Sequence, residues 1–516
     1  MLRSILSVGG FTLLSRLTGF ARDLALGALL GAGPIADAFV VAFRLPNYFR
    51  AIFGEGAFNT AYVPSYARVL ESEGGDEAKH FASQIFTILF ISQVVLLAFA
   101  LTFTPLLVRL IAPGFDADPE KFALAVRMTR ITFPYLFFIT LVTLHSGTLN
   151  AHGRFAAAAF APVLLNLTML AFLAAAFRFP NAGEAASWGV VVSGALQLAL
   201  LMIEARRCNL LEGFARPRLS QDVRQFFGAL APAVIGSAGV QIAILADTII
   251  ASMLPTGAVA SIYYADRLYQ LPIGVVGIAA GTVLLPQMSR RLASGDAAGA
   301  ARAQNRTMAL TLALSAPFFV AFVLVSEPIM RGAFLRGAFT AADAARSAAV
   351  LAAYGVGLLP IVLIRSAVAS FQSRGDTMTP MFVSLGAIAV NVALKFLFYR
   401  SLGAAGLALA TAIGAWLNLA GLTALALARG FMRPDAHLAE VAAATCCASG
   451  LLALALSVSL PTATAIAASA PRWRDEILLV LLSFIGAAAY GLTLLAALGL
   501  LGFRPRSARA QSSYPP

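Results

Sequence analysis
The sequence predicts an all-α, polytopic membrane protein of fourteen transmembrane helices, with two six-helix halves and two further helices. Three observations carry this. The 516 residues are 59% hydrophobic and only 12% charged, with a mean hydropathy of +0.83, whereas soluble domains carry about 25% charged residues. Gly, Pro and charged breaks divide the chain into stretches near the roughly 20 residues that span a hydrocarbon core of about 30 Å. Finally, short motifs recur at a nearly constant offset across the two halves.

The first six spans read as 5–30, 35–66, 80–111, 120–150, 155–178 and 186–206. A basic connection follows, carrying Arg206, Arg207, Arg216, Arg218 and Arg224. The second six read as 222–254, 258–288, 303–331, 343–372, 379–400 and 404–428, and the last two as 437–460 and 475–501. The domains are therefore an N-terminal lobe (1–215), a second lobe (216–430), two additional helices (431–503) and a basic tail (504–516). With the N-terminus placed inside, loops and termini on that side hold about twice as many Lys and Arg as those on the other, which puts both termini in the cytoplasm. Arg504, Arg506 and Arg509 in the tail agree with an even number of spans. Arg16 interrupts the first apolar run and no small-residue cleavage site follows, so this segment reads as a retained helix rather than a signal peptide.

Ala42, Phe43, Arg44 and Leu45 are followed by Pro64 and Arg68, as Ala265, Asp266, Arg267 and Leu268 are followed by Pro286 and Arg290. Asn150 and Gly153 relate similarly to Gln372 and Gly375, and Asn166 to Asn391. Because six spans return the chain to its starting side, the halves have the same orientation and form parallel repeats, an arrangement in which transporters place substrate between the halves.

Function is sought among charges inside the spans. Arg16, Arg22, Arg44, Arg50 and Arg267 each cost about 2.5–3.5 kcal/mol at a bilayer centre, so they must face protein or water. In the second span Asp37 and Arg44 nearly superpose at seven residues, with Asn47 and Arg50 continuing the stripe. Pro46 breaks its hydrogen-bond ladder, and Gly54 and Gly56 flank Glu55. In the first span Arg16 and Asp23 share a face. Internal ion pairs would join Asp23 to Arg16 or Arg22, Asp37 to Arg44, Glu55 to Arg50, and Asp266 to Arg267. Five arginines against four acids leave one positive charge, which an anion would complete. Guanidinium forks suit phosphate or pyrophosphate. Asp247 and Lys395, with Asn391 and Thr411 nearby in the second half, read as an internal pair in preference to a cation site. Arg127, Arg130 and Arg365 read as snorkelling to an interface, and His145 and His152 as isolated packing residues.

Other chemistries are poorly served. Basic residues are dispersed, against a nucleic-acid surface. Cys208, Cys446 and Cys447 have neither metal-ligand nor disulfide spacing. No phosphate-binding loop, nucleophile elbow or metal-ligand histidine cluster is present, so no cofactor is expected. An enzyme acting on lipid phosphates lacks an evident general base.

R-L-T-G-F-A-R-D at 16–23, A-D-A-F at 36–39, F-R-L-P-N at 43–47, E-G-A-F at 55–58 and Y-A-D-R-L at 264–268 together resemble the MurJ (MviN) family of lipid II flippases, within the superfamily of multidrug and toxin extruders and polysaccharide flippases. The resemblance covers nearly the whole chain. It implies a bacterial inner-membrane protein with two pseudo-symmetric lobes around a central cationic cavity, the last two helices forming a groove for the undecaprenyl tail. It also implies lipid II as substrate and cell wall synthesis proteins as partners. By carry-over Arg16, Arg22, Arg50 and Arg267 are cavity arginines, and Asp37, Asn47 and Glu55 match polar motif positions. Some relatives bind sodium where Asp247, Asn391 and Thr411 stand, but Lys395 replaces an acid. Coupling to membrane potential is therefore expected in preference to sodium. Another undecaprenyl-pyrophosphate-linked oligosaccharide is the alternative substrate, and an organic-cation antiporter would want an acidic cavity instead.

Overall fold
In a computed structural model that describes residues 2–50, 57–218 and 220–500, all described regular structure is helical. Glycine and proline punctuate it. Helix α1 (Leu2–Leu30) ends at Gly31, whose φ of +62° closes the last turn at little cost only without a side chain. A Cβ there would lie 2.5 Å from the Ala338 carbonyl oxygen, so the site needs glycine twice over. Helix α2 (Pro34–Arg50) starts on a proline, where the missing N–H is not needed. Helix α3 is Ala57–Ser72, and Glu55, Gly54 and Gly56 lie between α2 and α3, outside the described residues.

Helices α4 (Gly75–Thr102) and α5 (Thr104–Ile111) occupy the third predicted span, and α6 (Pro119–Thr132) and α7 (Pro134–Ala151) the fourth, divided before Pro134. Helices α8 (Ala156–Ala174) and α9 (Ala182–Arg207) follow, then α10 (Gln221–Ser252). Side-chain oxygens of Asp118, Asn181 and Ser220 cap α6, α9 and α10 by accepting backbone N–H bonds. The eighth predicted span is α11 (Ala258–Pro272), a π-type turn at Ile273–Gly277, and α12 (Ile278–Ala293). Wide turns of this kind are frequent at functional sites.

Helices α13 (Ala297–Leu324), α14 (Ser326–Phe334), α15 (Ala341–Val356) and α16 (Leu358–Gln372) precede α17 (Met378–Ala428), which joins two predicted spans across non-helical Gly403. Helices α18 (Ala436–Ala468) and α19 (Arg474–Leu500) end the described chain; the tail from 501 lies outside it. Among the described residues nine helical stretches are long and apolar enough to cross a membrane. Helices α1, α2 and α11, which carry the intramembrane arginines, are outside that set; α2 and α11, of 17 and 15 residues, are too short to count.

The chain packs as two units. One comprises residues up to Tyr264 with Arg336–Asp343 and Tyr399–Ala404; the other comprises Ala265–Leu335, Ala344–Phe398 and the chain from Ala405. In the first, Phe58, Tyr62 and Tyr66 of α3 pack with Phe81 and Ile85 of α4, Leu144 of α7 and Phe226 of α10. Packing thus groups α10 with the early helices, whereas the sequence reading places it in the second lobe. In the second unit, Val320 of α13 packs with Leu452 and Leu456 of α18 and Leu478 and Leu482 of α19. Tyr490 donates to the Ala313 carbonyl at 2.6 Å. Large side chains such as Leu397, Val458, Phe484 and Leu495 are exposed, as expected where lipid is the solvent.

Candidate functional site
In the first unit a polar cluster starts from a glycine. At Gly19 a Cβ would stand 3.3 Å from Asn166 Nδ2, so the bare backbone lets α8 bring Asn166 against α1. Asn166 Nδ2 donates to the Ser15 carbonyl at 2.8 Å, and its Oδ1 accepts from Arg22 Nη1 at 2.9 Å. Arg22, 6% exposed, also donates through Nη2 and Nε to Asp23 Oδ1 at 2.7 and 3.1 Å. Tyr263 Oη donates to the same oxygen at 2.9 Å. Of the two partners anticipated for Asp23, Arg22 is the one engaged. Arg16 is half-buried and has no hydrogen bond or ion pair among the described residues.

Asp37 is 1% exposed and does something periodicity did not suggest. Its carboxylate accepts from Gly257 N at 2.7 Å and Ala260 N at 2.8 Å, at the start of α11. The expected Asp37 to Arg44 pair is thus replaced at these oxygens by a helix N-terminus, whose N–H groups carry partial positive charge. Arg44 instead donates to Thr248 Oγ1 of α10 at 3.2 Å, and the Tyr48 hydroxyl bonds the same Thr248. Asp247 lies within electrostatic reach of Tyr48. Asn47 Nδ2 donates to the Phe43 carbonyl at 2.7 Å, and its Oδ1 accepts from Arg50 Nε at 3.0 Å. In this unit Arg16, Arg22, Arg44 and Arg50 outnumber the acids Asp23, Asp37 and Asp247 among the described residues of the cluster. A surplus of guanidinium groups on bent, polar helices can hold an anion.

The second unit holds Asp266 and Arg267 on α11, at 3.9 Å, with side chains 25% and 35% exposed. Gln270 Nε2 donates to Asp266 Oδ1 at 3.3 Å. Lys395 is fully buried on α17, Asn391 is nearly so, and Thr411 donates to its own helix at Leu407. Asp247 belongs to the first unit.

Two features escaped the sequence. Fully buried His145 Nδ1 lies 2.5 Å from Glu212 Oε2, and Thr148 donates to Glu212 Oε1 at 2.5 Å. His145 is therefore not isolated: an acid 67 residues away, in the connection before α10, returns to it. His152 is bonded too, through Nε2 to the Tyr66 hydroxyl at 3.0 Å. The second feature is a cavity of about 310 Å³ between α2, α3, α7, α8 and α9, with Arg50 in its wall. Polar Gln197 in mid-span, with Asn150 at the end of another span, was the available signal for it. Exposed Arg127, joined to Glu184 at 3.1 Å, and exposed Arg130 and Arg365 stand at the surface.

Comparison with known proteins places the chain among membrane transporters. Residues 26–482 match the sequence model of a family described as "Lipid II flippase MurJ". The chain is 42% identical over 465 residues to "Probable lipid II flippase MurJ" of Rhizobium meliloti (strain 1021), covering 89% of this chain and 87% of that protein. It is 35% identical over 442 residues to "Lipid II flippase MurJ" of Burkholderia cenocepacia, covering 84% and 85%. Among solved structures it is similar to a lipid II flippase MurJ in an inward closed conformation, with TM-score 0.81 at 22% identity over 96% of this chain and 99% of that one. An inward-facing multidrug resistance MATE family transporter is similar at TM-score 0.69, with 16% identity over 82% and 97%.

Proposed function
The chain belongs to the lipid II flippase MurJ family, and from that premise we propose how its own residues carry lipid II across the membrane. It is a multi-pass lipid II flippase serving peptidoglycan synthesis, within a superfamily that works by alternating access. The head group enters from the cytoplasmic side while the undecaprenyl tail stays in lipid. Its pyrophosphate is held by Arg16, Arg22, Arg50 and Arg267, with Arg44 and Asn47 adjoining and Glu55 and Asp266 tuning the charge.

The arginine surplus around Arg22 carries this reading. Arg22 is clamped by Asp23 and Asn166, so it presents a guanidinium already ordered, while Arg16 has no competing ion pair among the described residues. Preorganisation of this kind lowers the cost of binding. Arg267 is assigned by the family resemblance, as Arg16, Arg22 and Arg50 are, and in the repeat it is the counterpart of Arg44. The basic loops support cytoplasmic termini and an inner-membrane location. The two last helices, α18 and α19, supply an apolar groove for the tail. No covalent step is needed, and the chain acts as a transporter without cofactor. An inside-negative potential favours outward movement of an anion by about 2.3 kcal/mol per charge per 100 mV. Lys395 occupies electrostatically the place of a coupling cation, which removes sodium from the cycle.

The test is outer-face exposure of lipid II in cells depleted of their own flippase and supplied with this protein or its Arg267→Ala or Arg16→Ala variant at matched membrane abundance. Wild type restores exposure, and each variant reduces it at least tenfold. A variant with full activity removes its arginine from the site; an inactive, well-folded wild type sinks the substrate assignment.

A further inference from the structure
The cavity inside the first unit is chemically unlike the arginine cluster beside it. Its walls mix Arg50 with uncharged polar groups, Gln197, Asn150 and Ser146, and with apolar Pro162 and Leu165. Gln197 is 2% exposed, and its Nε2 has no hydrogen-bond partner among the described residues; the Oδ1 of Asn150 is likewise buried and unsatisfied. Buried polar atoms are nearly always bonded, and leaving one unmade costs about 1–3 kcal/mol. A donor and an acceptor held open in one cavity point to a ligand that supplies both.

A simple anion would satisfy the Gln197 donor but meet repulsion at Asn150 Oδ1. A metal ion would suit the acceptor but not a neighbouring guanidinium. A sugar ring fits every wall: hydroxyl and acetamido groups both donate and accept, and the C–H faces of a ring lie against Pro162 and Leu165. The volume, about 310 Å³, is at the small end of ligand pockets, about 300–1,000 Å³. It admits one ring and excludes a disaccharide bearing a peptide.

We propose that this cavity is a sugar subsite, which takes one N-acetylated ring of the lipid-linked head group and lets Gln197 and Asn150 read it while Arg50 adjoins the pyrophosphate. The proposal rests on the lipid II reading and deepens it: the arginines hold what all undecaprenyl-pyrophosphate carriers share, and the cavity distinguishes glycan-bearing substrate from the bare anchor.

The experiment compares binding of lipid II with binding of undecaprenyl pyrophosphate lacking any sugar, to the full-length protein in lipid nanodiscs, by ligand-dependent thermal shift. Wild type prefers lipid II. Gln197→Met keeps the side-chain volume and removes only an unbonded amide, so the unliganded protein stays folded; its affinity for lipid II falls about 3- to 10-fold, while binding of undecaprenyl pyrophosphate is unchanged. Ala158→Leu, which fills the cavity from α8, gives the same selective loss. Equal wild-type affinity for the two lipids, or full preference retained in both variants, overturns the subsite and leaves the flippase reading intact. Wild type binding neither lipid overturns that reading, and the subsite with it.

Discussion

Two arginines six residues apart on α1 have opposite surroundings, and they should respond to mutation in opposite ways. Arg22 is buried and its charge is answered by Asp23, whose Oδ1 receives two Arg22 bonds and one from Tyr263. Asp23→Asn leaves a buried guanidinium without its counter-charge, a change that costs about 3–5 kcal/mol. The protein purified in detergent should unfold at a clearly lower temperature, and an unchanged Tm would mean that water or substrate already compensates Arg22. Arg16 has no ion pair among the described residues, so Arg16→Ala should leave Tm nearly unchanged while abolishing lipid II exposure. The sequence showed the charge excess but not this division of labour. Periodicity places Arg16, Arg22 and Asp23 on neighbouring faces, whereas the clamp depends on Asn166, brought from α8 by the bare backbone at Gly19.

At the scale of elements, helix ends and connections decide what the charged residues do. Asp37 looked like a partner for Arg44 because seven residues superpose on a helix, yet its two oxygens receive the first N–H groups of α11. A pattern along one helix cannot see the terminus of another 220 residues later. Removing a helix cap costs about 0.5–2 kcal/mol. Asp37→Ala should therefore lower Tm modestly and raise hydrogen exchange at residues 257–260; exchange unchanged there would remove the capping role. Any opening that parts α2 from the start of α11 must break the same two bonds. The connection before α10 is tied down similarly: Glu212 meets His145 and Thr148, and Gly213 N and Ala215 N donate to Ser83 and Thr87 hydroxyls of α4. Glu212→Ala strands two buried polar partners, and a loss of about 2–4 kcal/mol follows from the unmade bonds. It should loosen the connection to limited proteolysis between α9 and α10 before the helices unfold. At Asp296, the cap of α13, the Gly299 N–H bond holds the carboxyl below its ordinary 3.8, with Arg291 and Arg302 adding to the effect. A group whose pKa is depressed by folding stabilises above its unfolded value and loses that contribution as pH falls through the folded one. Acid destabilisation below about pH 4 should thus be smaller in Asp296→Asn than in wild type.

For the whole molecule, apolar stretches long enough to span a bilayer were enough to read the helical fold, because lipid forces backbone satisfaction into helices whatever the tertiary detail, while the flippase family was legible only through the resemblance of short motifs such as those at 16–23, 43–47 and 264–268. What remained hidden was long-range: the His145 to Glu212 bond and the cavity walled by five helices arise from packing that no local window contains. The energetics of transport belong to this scale too. The chain has no phosphate-binding loop, so energy from ATP would need another subunit; in the proposed cycle the membrane potential supplies direction, and a cluster richer in Arg than in acid carries charge with or against its ligand. If the cavity arginines stay fixed while an anionic head group moves outward, an inside-negative potential drives the step, and each 100 mV changes the balance by about 2.3 kcal/mol per charge, nearly fiftyfold in an equilibrium. In proteoliposomes holding the protein and lipid II, an imposed inside-negative potassium diffusion potential should raise the outward share of lipid II several-fold over vesicles at zero potential. Replacing external sodium by choline should change nothing, because in the proposed cycle the fully buried Lys395 of α17 stands in the place of a coupling cation. Flipping indifferent to potential but abolished by choline would reverse both assignments, placing sodium in the cycle and Lys395 outside it.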